Sequence, residues 1–447
     1  MTTKVRNFLI VGGVLATIVI GLIGVGLYKV YSFFSMIGLN REIPAELKDA
    51  RVTKGGEFLT RSDFFKLDTP GLLKTIGDGS KIPDEKEREK VVKSQTARGI
   101  YNFSDLQVIG DSIIATGEFG GFVFDLNGNL KRQILFDPST ERIKIGPIEK
   151  EVYQTSLNNL TIVRLDRDHT GFLSFGSIEG ARIFDDNGKE IWTVGKETAD
   201  LGRALSDSDE EYKKSKHVLE ATVGDLDNDG IGEYVVATKN EGIRAYDRSG
   251  KEIWLQPDEF ASRKLAVFDL DRDGKNELLE IGHAVRDGSG KIIREMKTLG
   301  DAWVLAEGKK EYSIQFADIY HGKISLSAEN GDKLFESDAP LSEIKKTPQQ
   351  RTVPGTDTSY TDDSDTVAYP KAAWVQLREG KPKYLAVIAS FIGLPRSNFY
   401  VYDSAGVLVY HELLPEDAET IAVLPTGNGT DNILIGGKDT IWKYAAN

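Results

Sequence analysis

The sequence predicts an all-β protein, a β-propeller of about seven four-stranded blades, preceded by one N-terminal transmembrane helix. Three observations predict this architecture. A hairpin-like segment with a glycine turn recurs along the chain. Gly250, Gly290 and Gly331 in three successive turns are 40 and 41 residues apart, which is the period of propeller blades. The N-terminus carries an uncharged apolar run long enough to cross a bilayer.

The N-terminal run, NFLIVGGVLATIVIGLIGVGLY, has no charged residue between Arg6 and Lys29. As a helix it would extend ~33 Å at about 1.5 Å per residue, which spans a hydrocarbon core. We predict a cytoplasmic tail at 1–6 and a transmembrane helix at 7–29. Because no second span follows, the bulk of the chain would be extracytoplasmic, in the periplasm or at the cell surface. The alternative is a cleaved signal peptide, whose apolar stretch is shorter and precedes a small-residue cut site.

The stretch from 30 to 99 is polar and charged, as in IPDEKEREKVVKSQTARG. We interpret it as a stalk or linker that leads from the membrane to a propeller domain at 100–447.

Six segments share the pattern of an apolar strand, a glycine turn and a second strand, as in ARIFDDNGKEIW and IRAYDRSGKEIW. Each predicts a hairpin, because glycine supplies the positive φ that a tight turn needs. The longer intervals between turns predict insertions at about 196–217 and 338–370. The turn glycines are Gly128, Gly188, Gly250, Gly290, Gly331 and Gly406.

The sequence pattern favours seven blades but leaves six or eight blades open. A pair of β-sandwiches is the other all-β alternative, but sandwich strands do not recur as four-strand units. The last unit, IAVLPTGNGTDNILIGGKDTIWKYAAN, lacks a final strand. We therefore predict that a strand from residues 50–110, either EFLTRSDFFKL or YNFSDLQVIG, closes the ring and removes a free sheet edge.

Two loops between predicted strands follow the pattern D-x-D-x-D-G-x-x-E. Alternate side chains of such a loop converge, and glycine at position 6 permits the bend. Position 7 would offer a backbone carbonyl. The predicted metal ligands are Asp225, Asp227, Asp229, Ile231 and Glu233 in the first loop, and Asp269, Asp271, Asp273, Lys275 and Glu277 in the second.

Electrostatics favours a cation in these loops. Two carboxylates ~4 Å apart repel by about 4 kcal/mol at an effective dielectric constant of 20. Arg272 and Lys275 could neutralise part of the second loop, but the first contains no basic residue. Oxygen ligands alone select Ca²⁺ over zinc or copper, so we predict two structural Ca²⁺ sites. The alternative is a set of Asx-turns that are stabilised by bonds from side chain to backbone.

A third copy of the loop, VRLDRDHTGFLSFG, keeps Asp166 and Asp168 but has Arg164 in place of the first ligand. The matching position of the last unit retains only Asp431. We expect no metal in the third copy.

The motifs GDLDNDGIGEYVVAT and FDLDRDGKNELLEIG resemble the FG-GAP/VCBS-type repeat, whose propeller blades carry Ca²⁺ loops, as in integrin α-subunits. The following FDDNGKEIW and YDRSGKEIW are also similar to the PQQ-like propeller repeat. The resemblance implies a propeller that binds partners or glycans. The same repeat occurs in some polysaccharide lyases, so the fold does not fix the function. We expect the repeated Trp192 and Trp254 to pack between neighbouring blades.

Composition excludes several functions. A net charge of −13 argues against nucleic-acid binding, and the absence of cysteine excludes disulfides and thiolate chemistry. No catalytic or cofactor-binding motif is present. We therefore predict a non-enzymatic, membrane-anchored, calcium-stabilised module that binds a protein partner or a surface glycan, in adhesion or as an envelope scaffold. The alternative is a polysaccharide lyase or glycosidase, with Glu179, Glu241 and Glu280 as candidate acids.

Overall fold

The computed structural model describes most of the chain after residue 43. The described residues are 44–69, 71, 82, 84–98, 103–117, 120–145, 148–154, 157, 159–176, 180–195, 199–200, 217–239, 241–257, 264–298, 300–344, 349–352, 359–362, 366–391 and 396–447. The predicted transmembrane segment 7–29 lies outside them. Among the described residues, no helix has the length and apolar character needed to cross a membrane.

Within the described residues the chain forms an all-β propeller of seven antiparallel blades around a central channel, as the repeat period predicted. The chain enters through a 3-10 helix and two strands, and one α-helix precedes the first blade. These elements are the 3-10 helix Ala45–Leu47, β1 (Arg51–Lys54), β2 (Leu59–Lys66) and α1 (Glu85–Arg98).

Blades 1 and 2 each run from an inner strand at the channel to an outer strand at the rim. Blade 1 comprises β3 (Phe103–Ile109), β4 (Ser112–Gly117), β5 (Gly120–Asp125) and β6 (Leu130–Ile134). A hairpin follows, β7 (Ser139–Ile145) and β8 (Ile148–Gln154). Blade 2 comprises β9 (Thr161–Arg164), β10 (Thr170–Gly176), β11 (Gly180–Phe184) and β12 (Glu190–Val194); β13 (Ala199–Asp200) then pairs with β7.

Blades 3 to 5 repeat the same meander. Blade 3 comprises β14 (Val218–Gly224), β15 (Glu233–Thr238), β16 (Gly242–Tyr246) and β17 (Glu252–Gln256). Blade 4 comprises β18 (Leu265–Phe268), β19 (Glu277–Glu280), β20 (Ala284–Arg286) and β21 (Ile292–Glu295). Blade 5 comprises β22 (Ala302–Glu307), β23 (Tyr312–Tyr320), β24 (Lys323–Ala328) and β25 (Lys333–Asp338).

The insertion predicted near 338–370 contains three short strands, β26 (Glu343–Ile344), β27 (Gln349–Thr352) and β28 (Ser359–Asp362). Blade 6 comprises β29 (Thr366–Val375), β30 (Tyr384–Phe391), β31 (Ser397–Tyr402) and β32 (Leu408–Leu413). Blade 7 takes β33 (Ala418–Pro425), β34 (Asp431–Gly437) and β35 (Thr440–Ala446) from the C-terminus.

An N-terminal strand closes the ring, as the incomplete last unit predicted. Strand β2 pairs antiparallel with β35, from Leu59 opposite Ala446 to Lys66 opposite Thr440, and is the outer strand of blade 7. Of the two candidate segments, EFLTRSDFFKL supplies this strand, whereas YNFSDLQVIG contains the inner strand of blade 1.

The predicted stalk at 30–99 needs a correction, because β1 and β2 lie within it and belong to the propeller. Strand β1 pairs with β32 as a fifth strand of blade 6. All four residues of β1 are exposed, and most of those in β2 are. These outer strands therefore lack the apolar alternation that identifies a strand in a sequence.

The glycine turns join the third and fourth strands of blades 1 to 6. In blade 3, Asp247 Oδ1 accepts hydrogen bonds from the N–H groups of Ser249 at 2.9 Å and Lys251 at 3.0 Å. Gly250, with φ of 83°, donates its N–H to the carbonyl of Asp247. The aspartate thus satisfies the backbone of the turn. The same pattern surrounds Asp125, Asp185, Asp287 and Asp403.

The two repeated tryptophans pack against the next blade, as expected. The Trp192 ring of blade 2 lies 4.9 Å from that of Tyr234 and 5.3 Å from that of Tyr246, both in blade 3. Trp254 of blade 3 donates its Nε1–H to the carbonyl of Gly288 in blade 4, at 3.0 Å. These contacts fix the spacing between blades.

An antiparallel meander gives the propeller two different faces. Connections between strands 1 and 2, and between strands 3 and 4, leave each blade at one edge, which we call the loop face. Connections between strands 2 and 3, and between successive blades, leave at the opposite edge, which we call the N-terminal face. Both aspartate motifs join first and second strands, so they lie on the loop face.

Candidate metal centre

The two aspartate motifs form equivalent loops in neighbouring blades. The first joins β14 to β15 in blade 3, and the second joins β18 to β19 in blade 4. In each loop the carboxylates at positions 1, 3 and 5 have oxygen atoms that lie within 4.8 Å of one another. The structure therefore brings together Asp225, Asp227 and Asp229 in one loop and Asp269, Asp271 and Asp273 in the other.

The first loop is held by three hydrogen bonds from its backbone to its own aspartates. Gly230 N–H donates to Asp225 Oδ2 at 3.0 Å, and Asp229 N–H donates to Asp227 Oδ1 at 3.1 Å. Ile231 N–H donates to Asp229 Oδ1 at 2.7 Å. These bonds turn the chain inward, so the carboxylates gather on one side of the loop.

The second loop repeats each of these bonds. Gly274 N–H donates to Asp269 Oδ2 at 3.1 Å, and Asp273 N–H donates to Asp271 Oδ1 at 3.0 Å. Lys275 N–H donates to Asp273 Oδ1 at 2.8 Å. The glycine at position 6 has φ of 89° in the first loop and 88° in the second, a conformation that glycine adopts without steric cost.

The predicted position-7 residues are Ile231 and Lys275. In the structure their N–H groups donate hydrogen bonds to the position-5 aspartates. Ile231 also forms an isolated antiparallel bridge with Asp166 of blade 2. Their contribution of a carbonyl ligand stays a prediction.

The position-9 glutamates are buried, and each accepts a hydrogen bond from the backbone of its own loop. Glu233 is 4% exposed and accepts the N–H of Leu226 at 2.6 Å; Glu277 is 7% exposed and accepts the N–H of Leu270 at 2.8 Å. Burial, together with the charges of the aspartates, raises the pKa of Glu233 to about 7, and the pKa of Glu277 is raised for the same reasons. A cation at the aspartates would oppose this effect.

One carboxylate oxygen in each loop is left without a partner. Asp225 Oδ1 and Asp269 Oδ1 are buried, and neither accepts a hydrogen bond within the described part of the chain. A buried acceptor without a partner is costly. The Asx-type bonds described above engage one oxygen of each aspartate, so they account for the bend of the loop but not for these two buried atoms.

The basic residues of the second loop do not neutralise it. Arg272 is directed away, because its guanidinium pairs with Glu307 at 3.0 Å and lies 4.2 Å from the ring centroid of Tyr312. Among the described residues, no lysine or arginine forms an ion pair with any of the six aspartates. The donor set is therefore oxygen only and carries a large negative charge, which suits Ca²⁺.

The third copy of the loop has a different environment. Asp166 Oδ1 accepts a hydrogen bond from the backbone N–H of His169 and also lies 2.8 Å from Nδ1 of the His169 ring. Asp166 Oδ2 forms an ion pair with Arg248 at 3.3 Å. Asp431 of the last unit accepts the N–H of Gln376 at 2.7 Å. In both places the carboxylate forms its hydrogen bonds or ion pairs with groups of the protein.

The loops of blades 2, 3 and 4 are joined to one another. Gly232 N–H of the blade 3 loop donates to the carbonyl of Leu165 in blade 2 at 2.8 Å. Asn276 Nδ2 of the blade 4 loop donates to the carbonyl of Asp225 in blade 3 at 2.7 Å. Sequence reasoning missed Asn276, because position 8 is glycine in the first loop and no ligand pattern includes it.

The central channel is a second concave site, with a volume of about 750 Å³. Its lining carries charges of both signs, and this mixture selects no class of ligand. The charged residues are Asp105, Arg164, Glu220, Lys264, Lys371 and Glu419.

Of the three candidate acids of the enzyme alternative, the two that the structure describes are each paired with an arginine. Glu280 is fully buried and pairs with Arg286 at 3.0 Å. Glu241 pairs with Arg244 at 3.2 Å, and Glu179 lies outside the described residues. No observation at these positions favours glycosidic chemistry.

No family model matches the chain, and no curated protein matches it. The FG-GAP/VCBS and PQQ-like repeat types therefore stay a resemblance that rests on the motifs.

Three solved structures similar to the chain are all distant in sequence. The WD40 domain of Neurospora crassa Pan2 is 10% identical, with a TM-score of 0.40 over 77% of this chain and 89% of that one. BBS1N in complex with ARL6DN is 11% identical, with a TM-score of 0.38 over 74% and 87%. The N-terminal domain of Nup159 is 11% identical, with a TM-score of 0.37 over 90% and 99%. The seven-blade architecture rests on the sheet topology of this chain itself.

Proposed function

We propose that this protein is a membrane-anchored, extracytoplasmic β-propeller that is stabilised by two Ca²⁺ ions and binds a protein partner or a surface glycan. The metal is structural and takes part in no reaction. The membrane anchor is the apolar run at 7–29, and the propeller is the exported binding module.

A single observation carries the calcium part of the proposal. Two loops with the same hydrogen-bond pattern each gather three aspartates within 4.8 Å and leave one buried oxygen without a partner, on Asp225 and on Asp269. Mutual repulsion of three carboxylates would open such a loop unless a cation lay among them. A flexible loop of oxygen ligands fits Ca²⁺ better than the octahedral geometry that Mg²⁺ requires.

The proposal that the protein binds a partner or a glycan rests on the architecture of the propeller. A rigid ring of blades presents connecting loops on two faces, and binding residues in proteins lie disproportionately on loops held by a rigid scaffold. The acids considered for catalysis are paired with arginine or lie outside the described residues. Binding without chemistry therefore accounts best for the arrangement.

Thermal unfolding tests the calcium part. We expect EDTA to lower the melting temperature of the purified full chain, and added Ca²⁺ to restore it more fully than Mg²⁺ does. Ligands that bind only the folded state stabilise it by mass action. An identical melting temperature with and without chelator would contradict the proposal.

A binding screen tests the partner part. The full chain in detergent would be applied to an array of surface glycans and, separately, cross-linked on intact cells and analysed for captured proteins. Saturable binding to a glycan or a stoichiometric protein adduct supports the proposal. Release of new reducing ends from a polysaccharide would instead establish an enzyme.

A further inference from the structure

The segment that leads from the N-terminus into the propeller is fastened on the face opposite to the aspartate loops. Arg396 donates from Nε to the carbonyl of Leu47 at 3.1 Å and from Nη2 to the carbonyl of Lys48 at 2.9 Å. Its Nη1 donates to the carbonyls of Leu414, at 3.3 Å, and Pro415. One guanidinium therefore ties the entering chain to blade 6.

Topology places this clamp on the N-terminal face. Arg396 lies in the connection between β30 and β31, the second and third strands of blade 6, and Leu414 lies in the connection from blade 6 to blade 7. Strand β1 begins at the same edge, since Arg51 is opposite Leu413, and then runs toward the loop face.

Apolar burial reinforces the clamp. The side chain of Leu47 is fully buried and belongs to the hydrophobic cluster between blades 5 and 6, with Ala339 and Leu413. Burying a leucine side chain contributes about 1.5–3 kcal/mol. The entering segment is thus part of the folded body from residue 44 onward, so the point at which the chain leaves it is fixed on this face.

On the N-terminal side of the described chain, Tyr320 is 67% exposed at the end of β23, and Tyr369 is 48% exposed in the half of β29 nearest this face. Tyrosine is the type of residue that favours the boundary between lipid and water.

We propose that the N-terminal face is the surface apposed to the lipid bilayer, so that the loop face with both aspartate loops is turned away from the membrane. This inference rests on the membrane anchor proposed above. It assigns the loop face, and not the N-terminal face, to contacts with molecules outside the cell membrane.

The absence of cysteine makes the orientation directly measurable, because single cysteines can be labelled without removing others. Lys310 precedes β23 on the loop face and Tyr320 ends the same strand on the N-terminal face; both side chains are exposed. Full-length K310C and Y320C chains would each carry a donor dye and be reconstituted in vesicles of phosphatidylcholine and phosphatidylglycerol with an acceptor dye on the lipid headgroups.

We expect energy transfer to the membrane from position 320 to exceed that from position 310 about twofold, since the two ends of β23 (Tyr312–Tyr320) are about 27 Å apart. If the chains float with the vesicles but transfer is equal from the two positions, or stronger from position 310, the proposed orientation is wrong and the anchor is unaffected. Failure of both chains to float with the vesicles would overturn the anchor and the orientation with it.

Removing the clamp supplies a matched control. In the background of each labelled chain, Arg396→Ala should reduce the difference between the two positions, while Lys381→Ala, at an exposed position between β29 and β30 on the loop face, should leave it unchanged. Circular dichroism and the melting temperature of every variant would confirm that the propeller is folded. A difference that Arg396→Ala leaves fully intact would contradict the assignment of the clamp.

Discussion

Asn276 donates a hydrogen bond from its side-chain Nδ2 to the backbone carbonyl of Asp225, at 2.7 Å. Asp225 is the first residue of the blade 3 loop, and Asn276 closes the blade 4 loop directly before Glu277. The two candidate metal sites are therefore mechanically connected, since the backbone of one is held by a side chain of the other.

Replacing this contact should weaken the first site. We expect Asn276→Ala to lower the calcium affinity of the blade 3 loop, because the carbonyl of Asp225 loses its donor and the loop is less well positioned. Calcium titration of the full chain by calorimetry measures the effect. Asn330→Ala is the control, because Asn330 is exposed and its side chain bonds only to Asp332 in its own turn. Unchanged affinities in the Asn276 variant would show that the two loops act separately.

The turn of blade 3 should tolerate no side chain at Gly250. Its φ is 83°, and a Cβ there would lie 2.7 Å from Trp192 Nε1. A left-handed backbone costs about 1–2 kcal/mol for an L-residue, and displacement of the tryptophan adds the cost of disturbed packing, typically about 1–3 kcal/mol. Gly250→Ala should therefore lower the free energy of unfolding by more than the strain alone.

Gly380→Ala is the matched control for this prediction. Gly380 also has a positive φ, 66°, but nothing lies within 4 Å of its Cβ position. Chemical denaturation of both variants separates strain from steric overlap. Equal losses of stability in the two would contradict the role assigned to Trp192.

The strand that closes the ring is paired with a buried carboxylate of the neighbouring blade. Arg61 of β2 pairs with Glu412 of β32, which also accepts hydrogen bonds from the hydroxyls of Tyr410 at 2.7 Å and Tyr444 at 3.0 Å. Glu412 is 3% exposed. Arg61→Ala should destabilise the propeller by about 3 kcal/mol, because it leaves a buried charge without its cation.

Lys90→Ala serves as the comparison for Arg61. Lys90 pairs with Glu87 on the exposed surface of α1, and pairs of this kind contribute about 0–1 kcal/mol. Urea denaturation curves would provide both values. A loss in the Arg61 variant as small as that in the Lys90 variant would argue against β2 as the closing strand.

His411 should make stability depend on pH. Its side chain is fully buried, with Nε2 3.0 Å from Asn398 Oδ1 and Nδ1 beside the hydroxyl of Thr53. Since Asn398 Nδ2 donates to the carbonyl of Leu341, its oxygen faces His411, so His411 carries a proton on Nε2 and donates it to Asn398. Burial, with the nearby charge of Arg51, lowers the pKa of His411 to about 4.

Because the folded pKa lies below the ordinary value of 6.5, the unfolded chain binds more protons between pH 6.5 and 4. Stability should fall as the pH drops through this range, by roughly 3 kcal/mol in total at about 1.4 kcal/mol per pKa unit. Denaturation at a series of pH values, compared with His411→Gln, isolates this contribution. Parallel stability profiles for the two proteins would contradict it.

The sequence predicted the blades best where the backbone demands a particular residue. Glycine turns with positive φ, such as Gly250 and Gly290, and the paired aspartate loops are local patterns that can be read without the fold. Strand β1 was missed because all its side chains are exposed and carry no apolar alternation, whereas β2 was predicted only as one of two candidate closing strands within the segment assigned to the stalk.

Long-range contacts were the other part that sequence reasoning could not predict. Arg61 and Glu412 are separated by 351 residues along the chain, and nothing near either residue indicates the other. The contact from Asn276 to Asp225 likewise appears only once two blades are adjacent. At the aspartate loops, the convergence of the three aspartates was predictable from their spacing, whereas the burial of Glu233 and Glu277 required the structure.

Calcium titration of the purified full chain by isothermal calorimetry tests the central claim most directly. We predict two Ca²⁺ ions per chain, one in each of the Asp225→Asn and Asp269→Asn variants, and two in Asp168→Asn, which alters only the third copy of the loop. Absence of calcium uptake by the unaltered chain, or uptake that both substitutions leave unchanged, would contradict the account.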